Sequence, residues 1–317
     1  MRVYLVKRIA MTVVVLLIVM VFLGLLVQIV PGDAATALLG QRASPELVAK
    51  YRSAMDLDKP VPVQVVRFIW GVMHGSFGND VFTGRPITSV IGNVLPHTLI
   101  LAWASLTLAV LLGVPLGVYS ATHPDSLVDR LTAVISISFI TIPSSVIGLL
   151  LLLLFAVELR LLPALGAGDT GDVADYAKHL ILPMIALAIG WVGYLARLVR
   201  TSFLEVLNET YIRAARAGGL SERVVLYKYA LKAALIPTVA VLGIGIGSLM
   251  GGAVLIEMIF SRPGMGSMIV KAIQQRNYPL VRAGVLVVAM LFVLANLMAD
   301  IIYTYLDPRI QLGKGRG

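Results

Sequence analysis

The chain has 317 residues, of which 58% are apolar and only 14% are charged, well below the roughly 25% of charged residues in soluble proteins. This composition excludes an ordinary soluble enzyme, and the absence of cysteine excludes disulfide scaffolds, thiolate metal sites and cysteine nucleophiles. The net charge of +9 is spread over an apolar chain without a basic domain, so membrane topology explains it better than nucleic-acid binding.

Six apolar runs are long enough to cross a bilayer, which needs roughly 20 mostly apolar residues in one helix. They predict an all-α membrane protein with six transmembrane helices, at 9–30, 99–119, 131–157, 180–198, 235–256 and 283–305. The first run follows a basic segment, as in a signal peptide. Its 22 residues exceed the roughly 7–15 of a signal sequence, so a retained helix is favoured.

Prolines predict local features of three of these runs. The third run is the longest, at 27 residues, and carries Pro143 and two adjacent serines near its middle. A tilt or a kink is therefore expected there. Pro183 and Pro237 are predicted to lie in the first turns of their helices, where proline costs little.

The distribution of lysine and arginine predicts the orientation of the chain. With the N-terminus inside, the inner segments hold 14 of the 26 basic residues and the two short outer loops hold 6. The long outer segment is left out of the comparison, because the enrichment of lysine and arginine on the cytoplasmic side is a weak indicator in long loops. Since basic residues are enriched in cytoplasmic loops, both termini are predicted to be cytoplasmic.

The extracytoplasmic segment 31–95 is predicted to contain two short helices. Ser44 followed by Pro45 is typical of a helix N-terminus, and this helix is expected to end near Met55. The second begins at Pro62 and has apolar residues at helical spacing, namely Val63, Val66, Ile69, Trp70 and Met73. This apolar face fits a cap over the bundle or the membrane surface, and docking of an external partner stays open.

The inner loop 200–232 contains the sharpest local pattern. Thr210 is predicted to cap a helix of about seven residues, which Gly218 and Gly219 end through a left-handed turn. Ser221 is then expected to restart a helix that leads into the fifth span.

Arg213 and Arg216 lie three residues apart on one face of that short helix, with alanines between them. The helix therefore has little core of its own to bury. It is either a knob presented to a cytoplasmic partner or a solvated connector, and the local sequence does not distinguish the two.

Glycines inside the spans predict helix packing. Gly243, Gly247 and Gly251 repeat at four-residue spacing, which lets the backbone of another helix approach closely. Gly113 and Gly117 repeat the pattern in the second span.

Ionisable groups within membrane spans are functional candidates by default. Asn296 and Asp300 lie four residues apart on one face of the sixth span, and Glu257 ends the fifth. Asp300 lies near the predicted cytoplasmic end rather than at mid-membrane, which favours a structural hydrogen-bonding role for this pair. The sequence has neither a P-loop nor an H-E-x-x-H motif, so no nucleotide, metal or catalytic site is predicted.

Five stretches of the chain resemble permease subunits of bacterial ABC importers of the dipeptide and oligopeptide class. The loop YIRAARAGGLSERVVLYKYALKAALIP is similar to the family's E-A-A-x-x-x-G signature, with Arg213, Ala214, Ala215 and Gly219 at its key positions. Arg213 replaces the glutamate of other importers, and Lys232 replaces a proline that many have. The other stretches are VPGDAA at 30–35, HGSFG at 74–78, FSRPGMG at 260–266 with RNYPLVRAG at 276–284, and the terminal NLMADIIYTYLDPRI.

The resemblance implies a type I ABC importer transmembrane domain at 96–305, preceded by an N-terminal transmembrane helix at 1–30 and followed by a cytoplasmic tail at 306–317. It also implies that the short helix of the inner loop is a coupling helix, which docks on a cytoplasmic ATPase. The implied coupling residues are Tyr211, Arg213, Ala214, Ala215, Arg216, Gly218 and Gly219.

The resemblance also implies partners. These are a second homologous permease subunit, two ATP-binding subunits, an extracytoplasmic substrate-binding protein and membrane lipid. ATP and Mg belong to the partner subunits, so this chain is expected to bind no cofactor and to be a pore-forming subunit rather than an enzyme. ATP binding is expected to draw the coupling helices together and to turn the paired bundles from inward-open to outward-open.

The expected location is the bacterial inner membrane. Dipeptides, oligopeptides, nickel complexes, glutathione and haem stay open as substrates, since selection lies largely in the binding protein. An ion-coupled secondary transporter and an intramembrane hydrolase are the alternatives. The first needs no ATPase, and the second needs a buried catalytic pair that the sequence does not show.

Overall fold

The computed structural model describes residues 2–29 and 44–306, with side-chain surroundings for 8–25, 44–299 and 301. Contacts between residues divide the chain into two compact units. Of the described residues, the smaller unit contains those within Arg2–Thr98 and Pro263–Val293, and the larger contains Leu99–Arg262 and those that follow Val293. The VPGDAA stretch at 30–35 and the last four residues of the terminal stretch lie outside the described residues.

The described residues form helices joined by loops. The helices are α1 (Arg2–Ile29), α2 (Pro45–Ala54), α3 (Val61–Met73), α4 (Ile87–Thr122), α5 (Leu127–Thr141), α6 (Ser144–Leu151), α7 (Val173–Leu207), α8 (Thr210–Ala217), α9 (Glu222–Val224), α10 (Leu231–Ala234), α11 (Ile236–Ile259), α12 (Met265–Gln274) and α13 (Tyr278–Leu306). A π-helical segment, Leu152–Glu158, follows α6, and a second, Val225–Ala230, connects α9 to α10.

Five of the six predicted spans correspond to single helices that are long and apolar enough to cross a membrane, namely α1, α4, α7, α11 and α13. The helices extend beyond the predicted limits. Helix α4 begins at Ile87 rather than near residue 99, and α7 runs from Val173 to Leu207 rather than over 180–198. An apolar run marks only the part of a helix that lies in the hydrocarbon, and polar ends continue the same backbone beyond it.

The predicted third span is not one straight helix. Helices α5 and α6, the latter extended by its π-helical segment, meet at an angle of 100°. The break lies at Ile142, whose ψ of 124° is extended, immediately before Pro143. Proline excludes the helical conformation from the residue that precedes it and has no N–H of its own. The predicted kink at Pro143 is therefore confirmed, as a complete break between two helices that together pass the length and composition test for a span.

The prediction for Pro183 is wrong, because α7 starts ten residues earlier. Asp172 caps this helix, and its carboxylate accepts hydrogen bonds from the N–H groups of Ala174 and Asp175. Pro183 thus lies inside α7. Pro237, in contrast, lies in the first turn of α11, as predicted.

Glycines in α4 bring it against α7 in the larger unit. A Cβ on Gly113 would lie 2.8 Å from the carbonyl oxygen of Val192, and one on Gly117 would lie 2.6 Å from that of Ala196. Neither position has room for a side chain, so the two helices pack backbone to backbone, as small residues allow in membrane proteins.

Loop residues hold the smaller unit together around Asp80, which is buried. Its carboxylate accepts hydrogen bonds from Thr83 and from the side-chain amide of Asn277. Burial acts to raise the pKa of Asp80, but these bonds outweigh it and hold the pKa below its ordinary value. In the same unit, the hydroxyl of Thr98 accepts the N–H of Met265 at 2.8 Å. The bond between Asp80 and Asn277 thus links the loop that follows HGSFG to the RNYPLVRAG stretch.

Asp129 and Arg200 join the start of α5 to the end of α7 in the larger unit. Nε of Arg200 donates to Oδ1 of Asp129 at 2.6 Å, and Nη2 donates to Oδ2 at 2.9 Å. Asp129 also accepts the N–H of Asp125 at 3.1 Å. The buried carboxylate is therefore well satisfied, and the planar guanidinium fixes the geometry of both helices.

Asp129→Asn is expected to lower the stability of the purified chain by about 1–2 kcal/mol, because an amide replaces a charge-assisted pair with weaker hydrogen bonds. Thermal unfolding in detergent, followed by tryptophan fluorescence, measures the effect. Asp125→Asn is the matched control, since that side chain is exposed and the charge change is the same. Equal melting temperatures for the two variants would contradict the assigned role.

Candidate functional site

Helix α8 is the short helix predicted in the inner loop. Glu209, with φ −69° and ψ 147°, precedes it, so Thr210 is the first helical residue rather than the cap that the sequence suggested. The difference is one position. The loop itself begins later than residue 200, because α7 continues to Leu207.

Two glycines end α8 in a Schellman motif. Gly218 has φ −75° and Gly219 has φ +79°, a left-handed conformation that glycine adopts without strain. The N–H of Gly219 donates to the carbonyl of Arg216 at 3.0 Å, and that of Leu220 donates to the carbonyl of Ala215 at 3.3 Å. The helix therefore ends at a defined residue rather than fraying.

Ile212 anchors α8 to the rest of the larger unit. Its side chain is fully buried, and Ala215, one turn later, packs against the same apolar cluster. The buried members of the cluster come from α4, α7 and the segment that follows α8, and they are Val118, Ala121, Val199, Phe203, Val225, Ala230 and Ala234. The expectation of little core to bury overlooked Ile212, the one large apolar side chain at the spacing that pairs with Ala215.

The opposite face of α8 is exposed. Tyr211 is 44% exposed, and Arg213, Ala214, Arg216 and Gly218 are exposed as well. The structure thus brings most of the predicted coupling residues to one outward surface and places Ala215 at its buried edge. Short side chains between two cations and a tyrosine leave room for a partner surface to approach the helix backbone.

Arg216 differs from Arg213 in having an ion-pair partner. Nη2 of Arg216 donates to Oε1 of Glu222 at 2.8 Å, and Nε donates to Oε2 at 3.2 Å. These bonds lower the pKa of the Glu222 carboxyl and raise that of the Arg216 guanidinium. The pair closes the glycine turn, whereas among the described residues Arg213 has no ion-pair partner. Arg213 is therefore the cation more available to another subunit.

A cavity of about 350 Å³ lies at the break between α5 and α6. Helices α7 and α11 complete its wall, and the residues with polar or aromatic side chains include Ser144, Trp191, Tyr194 and Ser248. Trp191 and Tyr194 meet edge to face, with ring centroids 5.6 Å apart. Sequence reasoning did not identify this cavity, although Pro143 and its neighbouring serines marked the break that opens it. A mostly apolar cavity with few polar groups is typical of a small-molecule site.

The three glycines of α11 that were predicted to pack against another helix have different surroundings. A Cβ on Gly243 would overlap that of Ala299 on α13 and lie 3.1 Å from its Cα, whereas a Cβ on Gly251 would meet nothing within 4 Å. Gly247 is buried. Gly245, which belongs to the other face, lies against Trp191. Gly243 is thus a position where α11 lies against α13 without room for a side chain.

Polar groups near the ends of the last two spans lie in different settings. Asn296 is half-buried in α13, and the side chain of Asp300 lies outside the part of the chain whose surroundings are described. Its hydrogen-bonding role stays a prediction. Glu257, fully buried near the end of α11, lies close to Arg262, whose Cζ is 4.8 Å from the ring centroid of Tyr176. Burial lowers the pKa of Arg262, while Tyr176 and Glu257 act in the opposite direction.

Two family models match the chain. The model described as binding-protein-dependent transport system inner membrane component matches residues 113–312, and the one for the N-terminal part of such membrane components matches residues 1–102. Together they cover most of the sequence.

Curated relatives match over nearly the whole chain. A probable peptide ABC transporter permease protein, y4tP, of Sinorhizobium fredii is 38% identical over 98% of this chain and all of its own length. The probable D,D-dipeptide transport system permease protein DdpB of Escherichia coli is 39% identical over 91% of both chains. The glutathione transport system permease protein GsiC of Salmonella typhimurium is 36% identical over 97% of this chain and 98% of its own.

A solved structure has the same fold. The MetNI methionine ABC transporter, in an inward-facing conformation, aligns with a TM-score of 0.57 over 69% of this chain and 96% of its own, at 20% identity. At that identity the likeness concerns the fold alone.

Proposed function

This chain belongs to the binding-protein-dependent transport system inner membrane component family, and we propose that it forms half of the translocation pathway of an ATP-driven importer. As a member of that family it is an inner-membrane permease component with the type I ABC importer fold. The observation that carries the proposal is the placement of α8, which is exposed on one face and anchored through Ile212 on the other.

Helix α8 is the coupling helix in this proposal. Its exposed face, with Tyr211, Arg213 and Ala214, docks on an ATP-binding subunit. Its buried face passes any displacement to α4 and α7 through the cluster around Phe203, because packed cores move as units rather than deform. The Asp129–Arg200 pair joins the end of α7 to α5, and thus to the cavity wall.

The assembly follows from the family. A second homologous permease supplies the other half of the pathway, two ATPase subunits bind ATP and Mg on the cytoplasmic side, and an extracytoplasmic binding protein delivers the substrate. This chain holds no cofactor in the scheme, and both of its termini are cytoplasmic. ATP binding favours one arrangement of the paired bundles through the contacts of α8, and hydrolysis releases it.

The proposed substrates are dipeptides, oligopeptides or related molecules such as glutathione, by analogy with the named relatives. The cavity at the α5–α6 break is the proposed place where such a substrate passes this subunit. Family membership favours ATP-driven import over the alternatives of an ion-coupled secondary transporter and an intramembrane hydrolase.

Arg213→Glu is expected to reduce the amount of ATPase subunit that co-purifies with the permease by roughly fivefold to tenfold, since reversing an interface charge costs about 1 kcal/mol or more. The complex is expressed from its own genes, purified through a tag on the permease, and quantified by gel densitometry. Unchanged co-purification would exclude Arg213 from the docking surface.

Arg216→Glu provides a contrast, because Arg216 is paired within the chain. Its loss of co-purification is expected to be restored in part by adding Glu222→Arg, which rebuilds the ion pair in reverse. A docking role for the Arg216 charge itself predicts no such rescue.

A further inference from the structure

A second cavity, of about 220 Å³, lies in the smaller unit beside α3, and we call it the α3 pocket. Its lining includes Asp56, Gln64, Arg67 and Arg282. None of these residues belongs to the coupling helix or to the cavity at the α5–α6 break. The pocket is therefore separate from the proposed transport machinery.

Arg282 has an unusual environment for a cation. Its side chain is buried, with 6% of the residue exposed, and among the described residues it has no ion-pair partner. Nη2 donates to the carbonyl of Met55 at 3.3 Å, and the guanidinium lies 5.9 Å from the ring of Phe68. Nε is buried and has no hydrogen-bond partner. Asp56 attracts this guanidinium but forms no ion pair with it, and the buried Nε has no hydrogen-bond acceptor among the described residues. Such a site is costly, so a complementary group from outside the chain fits here.

The charges around the α3 pocket favour an anion. The charged residues of its lining are two cations, Arg67 and Arg282, and one carboxylate, Asp56. Asp56 pairs with Arg67 and with Lys59, a cation outside the lining. The side chain of Arg67 is 58% exposed and lies at the rim. Two guanidinium groups, one buried and one at the entrance, suit a phosphate or carboxylate oxygen.

Gln64 adds a requirement for a hydrogen-bond donor. It is buried, and its Nε2 donates to the carbonyl of Lys59 at 2.9 Å. Its Oε1 is buried without a partner among the described residues, and Gln64 lines the pocket. A ligand that carries both an anionic group and a donor satisfies Arg282 and Gln64 together.

Helix α3 indicates where such a ligand comes from. With 13 residues it is too short to span a bilayer, and Phe68, Ile69 and Val72 pack in the apolar cluster that includes Met20 and Leu23 of α1. Another face stays exposed, with Val66, Trp70 and Met73 at 64%, 65% and 75% exposure. An apolar face that includes tryptophan on a short helix packed against a span is typical of the membrane interface.

We propose that the α3 pocket binds the headgroup of a phospholipid. The phosphodiester accepts hydrogen bonds from Nε of Arg282 and from Arg67, and a headgroup hydroxyl or ammonium donates to Oε1 of Gln64. The acyl chains lie along the exposed face of α3. The site is independent of the coupling function and places an ordered lipid between α3 and the start of α13.

The test is a lipid titration of the full chain, purified in detergent and stripped of lipid, with native mass spectrometry as the readout. One molecule of palmitoyl-oleoyl phosphatidylglycerol is expected to bind the wild-type chain. Arg282→Gln and Arg67→Gln are each expected to weaken binding about tenfold, the loss of one charge-assisted contact. Arg67 is at the surface, so its variant keeps the test valid if Arg282→Gln fails to fold.

Arg85→Gln is the matched control, because Arg85 is exposed in the same unit and does not line the pocket. Its affinity is expected to equal that of the wild type. Phosphatidylcholine, which has no headgroup donor, is expected to bind several-fold more weakly than phosphatidylglycerol. Equal lipid affinity of the wild type, Arg67→Gln and Arg282→Gln overturns the proposal.

Two further experiments distinguish a bound lipid from other anionic ligands. Inorganic phosphate at millimolar concentration is expected to leave the bound lipid in place, and displacement by phosphate overturns the lipid assignment in favour of the free ion. Trp70→Ser is expected to weaken lipid binding several-fold through the lost acyl-chain contact. Unchanged binding by that variant also counts against a lipid and favours an acidic segment of a protein partner.

Discussion

Replacing Gly219 with valine is expected to uncouple ATP hydrolysis from substrate. Gly219 has φ +79°, and a Cβ there would meet nothing within 4 Å, so the penalty is one of backbone conformation rather than crowding. A left-handed residue with a side chain costs about 1–2 kcal/mol, and a β-branched one costs more. The end of α8 should therefore unwind, and substrate-stimulated ATPase activity of the reconstituted complex should fall severalfold.

Gly218→Ala is the matched control for this variant. Gly218 has φ −75°, which every residue tolerates, and its Cβ would lie 3.4 Å from the carbonyl oxygen of Ala214, an ordinary contact distance. ATPase stimulation by substrate in Gly218→Ala should stay close to that of the wild type. If an assembled Gly219→Val complex were stimulated as strongly as the control, the glycine turn would have no part in coupling.

Gly243→Ala is expected to disturb the packing of the permease itself. The new methyl group would overlap the Cβ of Ala299, so α11 and α13 have to separate. Overpacking of this kind costs about 1–3 kcal/mol. A lower melting temperature in detergent, and a smaller yield of monodisperse protein in size-exclusion chromatography, would report the loss.

Two companion variants test the cause. Gly251→Ala adds the same methyl group to the same helix where no neighbour lies within 4 Å of its Cβ, and it should leave the melting temperature unchanged. Ala299→Gly, added to Gly243→Ala, removes the opposing methyl group and should restore most of the stability. A failure of that rescue would place the damage somewhere other than the contact between α11 and α13.

The membrane architecture follows from the sequence because hydrocarbon thickness sets the length of an apolar run. Five predicted spans are confirmed as single helices. Their ends are less well predicted, since Asp172 starts α7 in a polar stretch that hydropathy does not register, and Pro183 consequently falls inside the helix. The orientation of the termini stays a prediction from the distribution of lysine and arginine.

The larger differences arise from contacts between segments distant in the chain. Pro143 predicted a kink, but a bend of 100° needs the other helices of the unit to surround both arms. Similarly, a single large apolar residue, Ile212, gives α8 no periodic apolar pattern in the sequence. Phe203, which lies in the same buried cluster, belongs to the preceding helix. The Arg216–Glu222 pair depends on the turn that brings α9 back towards α8. Local patterns identify these residues without revealing which of them meet.

The break between α5 and α6 removes main-chain hydrogen bonds that a continuous helix would form. The carbonyl of Phe139 has no N–H four residues later, because that position is Pro143. Its oxygen lies against α7, 3.3 Å from where a Cβ on Gly190 would be. Unpaired main-chain groups are tolerated within a membrane only where they face protein or a water-filled space. Because Phe139 lines the cavity, the wall of the proposed substrate passage includes a stretch of main chain that lacks regular helical pairing.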